Sequence, residues 1–203
     1  VGTGPGGGAT LSRLCELWKN AGAKKIGVLE MGDKLFHSHS LNIPTQNVNT
    51  ARDVLLPDNS TPIGQRLPEF SGATMVYALG GRSLFWNAAT PRPIASELAK
   101  WPVHPQELGV YYGMAERLMH VTRDYAKGSS MQKRLLNRLH ANGILEADDM
   151  PLAFDMSPSH QGEVHSNPWF SSINALAAAL FNRPYDLAVN AYVSRVLVEN
   201  GKT

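Results

Sequence analysis

The stretch GTGPGGG, Gly2 to Gly8, decides how the rest of the chain is read. Five of its seven residues are glycine and one is proline, a composition that by itself also suits a flexible linker. The spacing of Gly2, Gly4 and Gly7 fits Gly-x-Gly-x-x-Gly, the turn between strand and helix in a dinucleotide-binding unit. There Gly2 allows the tight turn, Gly4 lets a pyrophosphate approach the backbone, and Gly7 lets helix and strand pack closely. The sequence that follows supports this use. In ATLSRLCELWKNAGAKK, Leu11, Leu14, Cys15, Leu17 and Trp18 recur at amphipathic-helix spacing, with Gly22 as the stop signal. KKIGVLEMG then sets Ile26, Val28 and Leu29 in a short apolar run typical of a buried parallel strand. Glu30 closes that run, about 20 positions beyond the glycines, where an acidic residue accepts hydrogen bonds from both ribose hydroxyls. The helix start would offer unpaired N–H groups and the positive end of its dipole to phosphates. Only Val1 precedes Gly2, so the first strand of the unit is expected to lie outside this sequence.

Composition narrows the class. At 203 residues, with 43% hydrophobic and 18% charged residues, the chain suits a filled globular core rather than disorder. No run of about 18 apolar residues is present to cross a bilayer, so a soluble protein, cytoplasmic or periplasmic, is expected. The net charge of +2 comes from 19 basic and 17 acidic residues spread along the chain, which argues against a nucleic-acid partner. Cys15 is the only cysteine, so no internal disulfide is available and a packed, small apolar role is expected.

Further along, residues 33–71 lack periodicity and are rich in Pro, Asn, Ser and Thr, as in a long surface excursion. GATMVYALGGRSLFWNAATPRP reads as loop and strand around a ligand. HPQELGVYYGMAERLMHVT is expected to be helical, with Leu108, Tyr111, Tyr112, Ala115, Leu118 and Met119 on one core-facing side. Helices are also expected over residues 129–142 and in INALAAALFN. DLAVNAYVSRVLVENGK alternates as a strand up to the turn signal Asn200-Gly201, where a hairpin would begin. The fold class is α/β.

ALGGRSLFWNAATPR, Ala78 to Arg92, resembles the glycine-rich segment that lies along the flavin in the glucose-methanol-choline (GMC) oxidoreductase family. Its form is most similar to the pyranose oxidase branch and its bacterial relatives. GTGPGGG with LEMG is similar to the family's FAD fingerprint, WPVHPQELGVYYGMAE to the helix after the flavin segment, and NAYVSRVLVENGKT to the strands that meet the adenine. The resemblance implies a doubly wound, Rossmann-like FAD-binding domain over residues 1–126, including the excursion 33–71. It further implies a substrate-side or linking region over 127–185 and return strands over 186–203. Gly2, Thr3, Gly4, Pro5, Gly6 and Gly7 would hold the pyrophosphate, Glu30 the adenosine ribose, and Met31 the adenine end. Gly80, Gly81, Arg82 and Ser83 would pass the ribityl chain and phosphates. Trp86, Asn87 and Ala88 would lie near the isoalloxazine, and the Val193 backbone would meet the adenine. Where pyranose oxidases carry a His that can bind flavin covalently, this chain has Phe85, so FAD is expected to be noncovalent.

The implied activity is an FAD-dependent oxidation of the CH–OH group of an alcohol or sugar. The family's proton-accepting His is expected beyond Thr203, so the fragment alone is expected to be inactive. A nicotinamide-dependent dehydrogenase also explains Gly2 to Glu30, though not Gly80 to Arg92, and a non-catalytic nucleotide-binding module is a third reading. Read without that context, Arg82 also suits a surface ion pair and Trp86 a packed core. His37 and His39, two apart, lack a third ligand at metal-site spacing, so no metal is expected. His160 and His165 flank a Pro- and Ser-rich loop and do not match H-E-x-x-H. Adjacent Asp148 and Asp149 suit a solvated turn better than shared acid–base work. No nucleophile elbow supports hydrolase chemistry.

Overall fold

The computed structural model describes residues 1–20, 22, 24–35, 55–64, 73–156 and 169–198. Its elements begin with helix α1 (Pro5–Leu17), strand β1 (Gly27–Leu29), the single turn α2 (Leu56–Asp58) and strands β2 (Ser60–Pro62) and β3 (Thr74–Val76). A 3-10 turn at Gly81–Leu84, the short α3 (Ala95–Leu98), helix α4 (Pro105–Leu118) and strand β4 (Val121–Thr122) follow. After a 3-10 turn at Asp124–Ala126 come α5 (Ser130–Ala141), β5 (Leu152–Ala153), α6 (Ser172–Asn182) and β6 (Asp186–Ala188). The fold is mixed α/β, with small sheets, and it divides into two compact units.

The first unit comprises Val1–Trp86 and Ser171–Thr203. Proline at the first helical position starts α1, since a helix needs no N–H donor there. Leu11 and Cys15, one turn apart on α1, are buried against Leu176 and Ala179 of α6 and against Ile26, Val28 and Leu79. Burial pushes the Cys15 thiol pKa up, with Arg183 opposing the shift, so this residue packs as an apolar group. The Arg183 guanidinium closes the far end of α1, donating to the carbonyls of Trp18, Gly22 and Lys24. β1 and β6 run parallel, Gly27 opposite Asp186 and Leu29 opposite Ala188. β2 and β3 form an antiparallel pair.

Several expectations are corrected here. α1 ends at Leu17, before Gly22, and Leu17 is 60% exposed. Leu29 is part-exposed rather than core, because only Val28 of β1 faces inward. The last strand stops at Ala188 instead of running to Val198. Asn190 adopts a left-handed φ of 54°, which breaks strand geometry, and Ala191 N–H turns back to the Glu30 carbonyl at 2.8 Å. Asn200-Gly201 lies outside the described residues. The excursion 33–71 contains β2 within its described part.

The second unit is Asn87–Phe170. Along the chain the two units change over at 86/87 and 170/171. α6 groups with the first unit because it packs on α1. In the second unit β4 and β5 pair antiparallel, and Ala89 bridges to Leu152. α4 turns Leu108, Tyr112, Ala115, Leu118 and Met119 partly inward, but Tyr111 is 57% exposed and does not face a core. Asp148 is exposed, while Asp149 is half-buried and accepts from Gln132 Nε2 at 2.6 Å. A paired fork joins Arg92 to α4, with Nε to Glu116 Oε1 and Nη2 to Oε2, both at 2.6 Å. The guanidinium also lies 5.5 Å above the Tyr112 ring.

That fork sets a pH dependence. The Arg92 hydrogen bond holds the Glu116 carboxyl below its ordinary 4.5, and Glu116 in turn raises Arg92. A carboxyl depressed on folding contributes stability that is present above its unfolded pKa and lost as pH falls through its folded pKa. Thermal unfolding scans of wild type and Glu116→Gln are expected to show a loss of stability below pH 4.5 that is smaller in the variant. Equal acid sensitivity would contradict the assignment.

Candidate functional site

The glycine turn is assembled around one carboxyl group. Gly2 N–H donates to the Leu29 carbonyl at 2.7 Å, laying the start of the chain beside the end of β1. Thr3 then meets Glu30: its N–H donates to Oε2 at 2.8 Å and its hydroxyl to the same oxygen at 2.6 Å. Gly32 N–H takes Oε1 at 2.9 Å. Thr3 is 0% and Glu30 5% exposed, so these bonds replace water almost completely. A carboxyl group has about four acceptor positions, and three are filled. One remains, at Oε1.

The second glycine segment docks onto the same threonine. Gly80 N–H donates to Thr3 Oγ1 at 2.9 Å. Gly80 and Gly81 have φ of 102° and 58°, a backbone that residues with a Cβ rarely adopt. A Cβ on Gly81 would lie 2.9 Å from Gly4 Cα, so the two glycine segments touch backbone to backbone. Ser83 Oγ, buried, donates to the Gly80 carbonyl at 2.7 Å and fixes the turn.

Together these segments border a cavity of about 410 Å3, a volume in the range of small-molecule sites. Gly2, Gly4, Pro5, Glu30, Met31, Gly81, Arg82 and Val193 line it, as do Thr74–Tyr77 and Tyr192. Among the described residues the N–H groups of Gly4, Gly6 and Gly7 have no hydrogen-bond partner. They form the N-terminal turn of α1, where the helix dipole favours negative charge. Arg82 adds a cation and donates to Thr74 Oγ1. The arrangement can therefore bind an anion at one end and accept a hydrogen bond through Glu30 beside it.

Eight of the residues expected at a cofactor thus share one cavity. Thr3, Gly80 and Ser83 do not line it and instead hold its wall from behind. Gly6 is exposed at the helix start. Gly7 is constrained by space: a Cβ there would stand 2.0 Å from the Gly2 carbonyl oxygen. Trp86 ends the first unit and does not line this cavity. Asn87 and Ala88 open the second unit, Asn87 exposed and Ala88 buried at a left-handed φ of 59°. The stretch carrying β3 reads as loop and strand around a ligand, and the one carrying Tyr192 as strands at the adenine, but the sequence does not single out Thr74–Tyr77 and Tyr192 as wall residues. Sequence reasoning missed Ser172, whose contacts with the turn reach across most of the chain.

The second unit holds a larger cavity, about 670 Å3, lined by Arg92, Glu116, Arg123, Thr90 and Thr122 among others. Its charges satisfy one another: Arg92 pairs with Glu116, and Arg123 Nε donates to the Asp149 carbonyl at 2.8 Å and lies 3.4 Å from Asp148. Size favours this cavity, but donors without partners favour the glycine-lined one. His104, His120 and His140 lie in the second unit, at a helix start, near Asp155 and on the Ala147 carbonyl. His37, His39, His160 and His165 lie outside the described residues. Among the described residues no group of three or more His, Cys, Asp or Glu could hold a metal ion, and no helix is long and apolar enough to cross a membrane.

Gly7→Ala and Gly6→Ala separate space from propensity. Gly7→Ala is expected to lower stability by about 1–3 kcal/mol through the clash with Gly2. Gly6→Ala, with nothing within 4 Å of its Cβ, is expected to be neutral or to gain up to about 1 kcal/mol. Urea unfolding checks the order, and equal losses would contradict this geometry. Among known proteins, no family model and no curated protein matches this chain.

Proposed function

We propose that this chain is the cofactor-holding part of an FAD-dependent oxidoreductase of the GMC type, built on a doubly wound, Rossmann-like domain. The observation that carries the proposal is the contact between two glycine segments at one cavity that both Gly4, with its unpartnered N–H, and Glu30 line. A nicotinamide site accounts for the first segment but gives no role to the second, whose sequence resembles the flavin-side segment of that family.

The residues present fit the nucleotide half of FAD. Gly4, Gly6 and Gly7 N–H groups and Arg82 would meet the pyrophosphate. Glu30 would accept from one ribose hydroxyl rather than two, since Thr3 and Gly32 already occupy the other three positions. Met31 and Val193 would border the adenine. The resemblance assigns Trp86, Asn87 and Ala88 to the flavin end. When bound, FAD supplies the hydride acceptor for a substrate CH–OH carbon, on an alcohol or a sugar. The protein's own part is to hold and orient, and the proton of the substrate hydroxyl needs a base. None of the chain's histidines matches the family's motif for that base.

The test is titration of the purified protein with FAD, followed by acid precipitation. The expected result is saturable uptake with a yellow spectrum, and full release into the acid supernatant because Phe85 offers no nucleophile. A protein that takes up no FAD refutes the flavin reading, and uptake of NAD instead would put a nicotinamide enzyme in its place.

A further inference from the structure

The geometry points to Ser172 as a positioning residue that aims the Gly4 N–H at the phosphates of a bound nucleotide. The inference rests on the nucleotide-binding reading above and adds to it a residue that no glycine motif contains. Ser172 opens α6 and is 0% exposed. Its hydroxyl donates to the Thr3 carbonyl at 2.6 Å and lies 3.1 Å from the Gly4 carbonyl. Its own N–H donates to Ser83 Oγ at 2.8 Å, and Ser83 holds Gly80. One buried residue is thereby tied to both glycine segments, by its hydroxyl to the first and by its backbone N–H to the second.

The consequence follows from the planarity of the peptide bond. All peptide bonds described are trans, so the C=O and N–H of each linkage point in opposite directions. Ser172 pulls the Thr3 carbonyl toward α6, which turns the Gly4 N–H away from α6. That N–H has no partner among the described residues, and Gly4 lines the cavity. Without the hydroxyl, the Thr3 carbonyl would lose its donor while remaining buried, and the Thr3–Gly4 peptide could rotate to recover one. Gly8, the last residue of the GTGPGGG stretch, fits the same device. A Cβ on Gly8 would lie 2.2 Å from Ser172 Oγ, so glycine there is what lets the hydroxyl reach the turn.

The test compares ADP, which carries the pyrophosphate, with adenosine, which lacks it, by calorimetric titration of wild type and Ser172→Ala, with thermal midpoints recorded for both. The expected result is an ADP affinity lowered about tenfold in the variant, with adenosine affinity unchanged. Equal losses for the two ligands, or no loss, would overturn the role of Ser172 while leaving nucleotide binding intact. Wild type that binds neither ligand refutes the nucleotide reading itself, and the inference with it. If Ser172→Ala does not fold, amide NMR of the wild-type protein decides. The Gly4 signal is expected to shift with ADP and not with adenosine, and a Gly4 signal indifferent to bound ADP would overturn the assignment.

Discussion

The first unit is organised around the buried bond between Thr3 and Glu30. A carboxyl group removed from water at the end of a strand is costly unless donors surround it. Here the donors come from the glycine turn and from Gly32, two residues beyond the carboxyl group: Thr3 N–H, Thr3 hydroxyl and Gly32 N–H. The same hydroxyl accepts from Gly80, 77 residues away. The start of α1, the end of β1 and the second glycine segment are therefore fixed to one another by a single side-chain pair. The cavity is bordered by the segments so joined, together with β3 and the stretch from Ala191 to Val193.

This arrangement separates the groups that hold the site from the groups that face it. Thr3, Ser83 and Ser172 are buried hydroxyls whose bonds run to backbone atoms and to Glu30. Gly4 with its unpartnered N–H, Arg82 and Glu30 with its remaining acceptor position are left to the cavity. Dense packing behind a polar rim suits a site that must be preorganised, because helix N–H groups gain most when they need not move to meet an anion. In the second unit the charged groups have instead been spent on one another. The Arg92–Glu116 fork and the Arg123 contacts tie α4 and the segment around Asp148 into that unit.

Much of the first unit was legible because its signals are local. The spacing of Gly2, Gly4 and Gly7, the helix carrying Leu11 and Cys15, and the strand that Glu30 follows all lie within thirty residues and obey short-range rules. Failures came where long-range geometry overrides a local pattern. Leu29 and Tyr111 follow apolar periodicity, yet the elements that carry them are covered on one side only. The alternation after Asp186 reads as a long strand, but the left-handed turn at Asn190 and the bond from Ala191 to Glu30 end it early. Ser172 was out of reach because its hydroxyl binds a carbonyl 169 positions away, and nothing in the Ser171-Ser172 pair beyond a helix start announces that contact.

Hydrogen–deuterium exchange of wild type and Glu30→Gln tests most directly whether one carboxyl group holds both glycine segments. Glutamine has the same shape but only one oxygen, so in either orientation it fails to accept from Thr3 or from Gly32. The account predicts faster exchange in the peptides that contain Thr3 and Gly80 together, with the Arg92–Glu116 region unchanged. Faster exchange confined to residues beside position 30, with the Gly80 peptide as protected as in wild type, would contradict it.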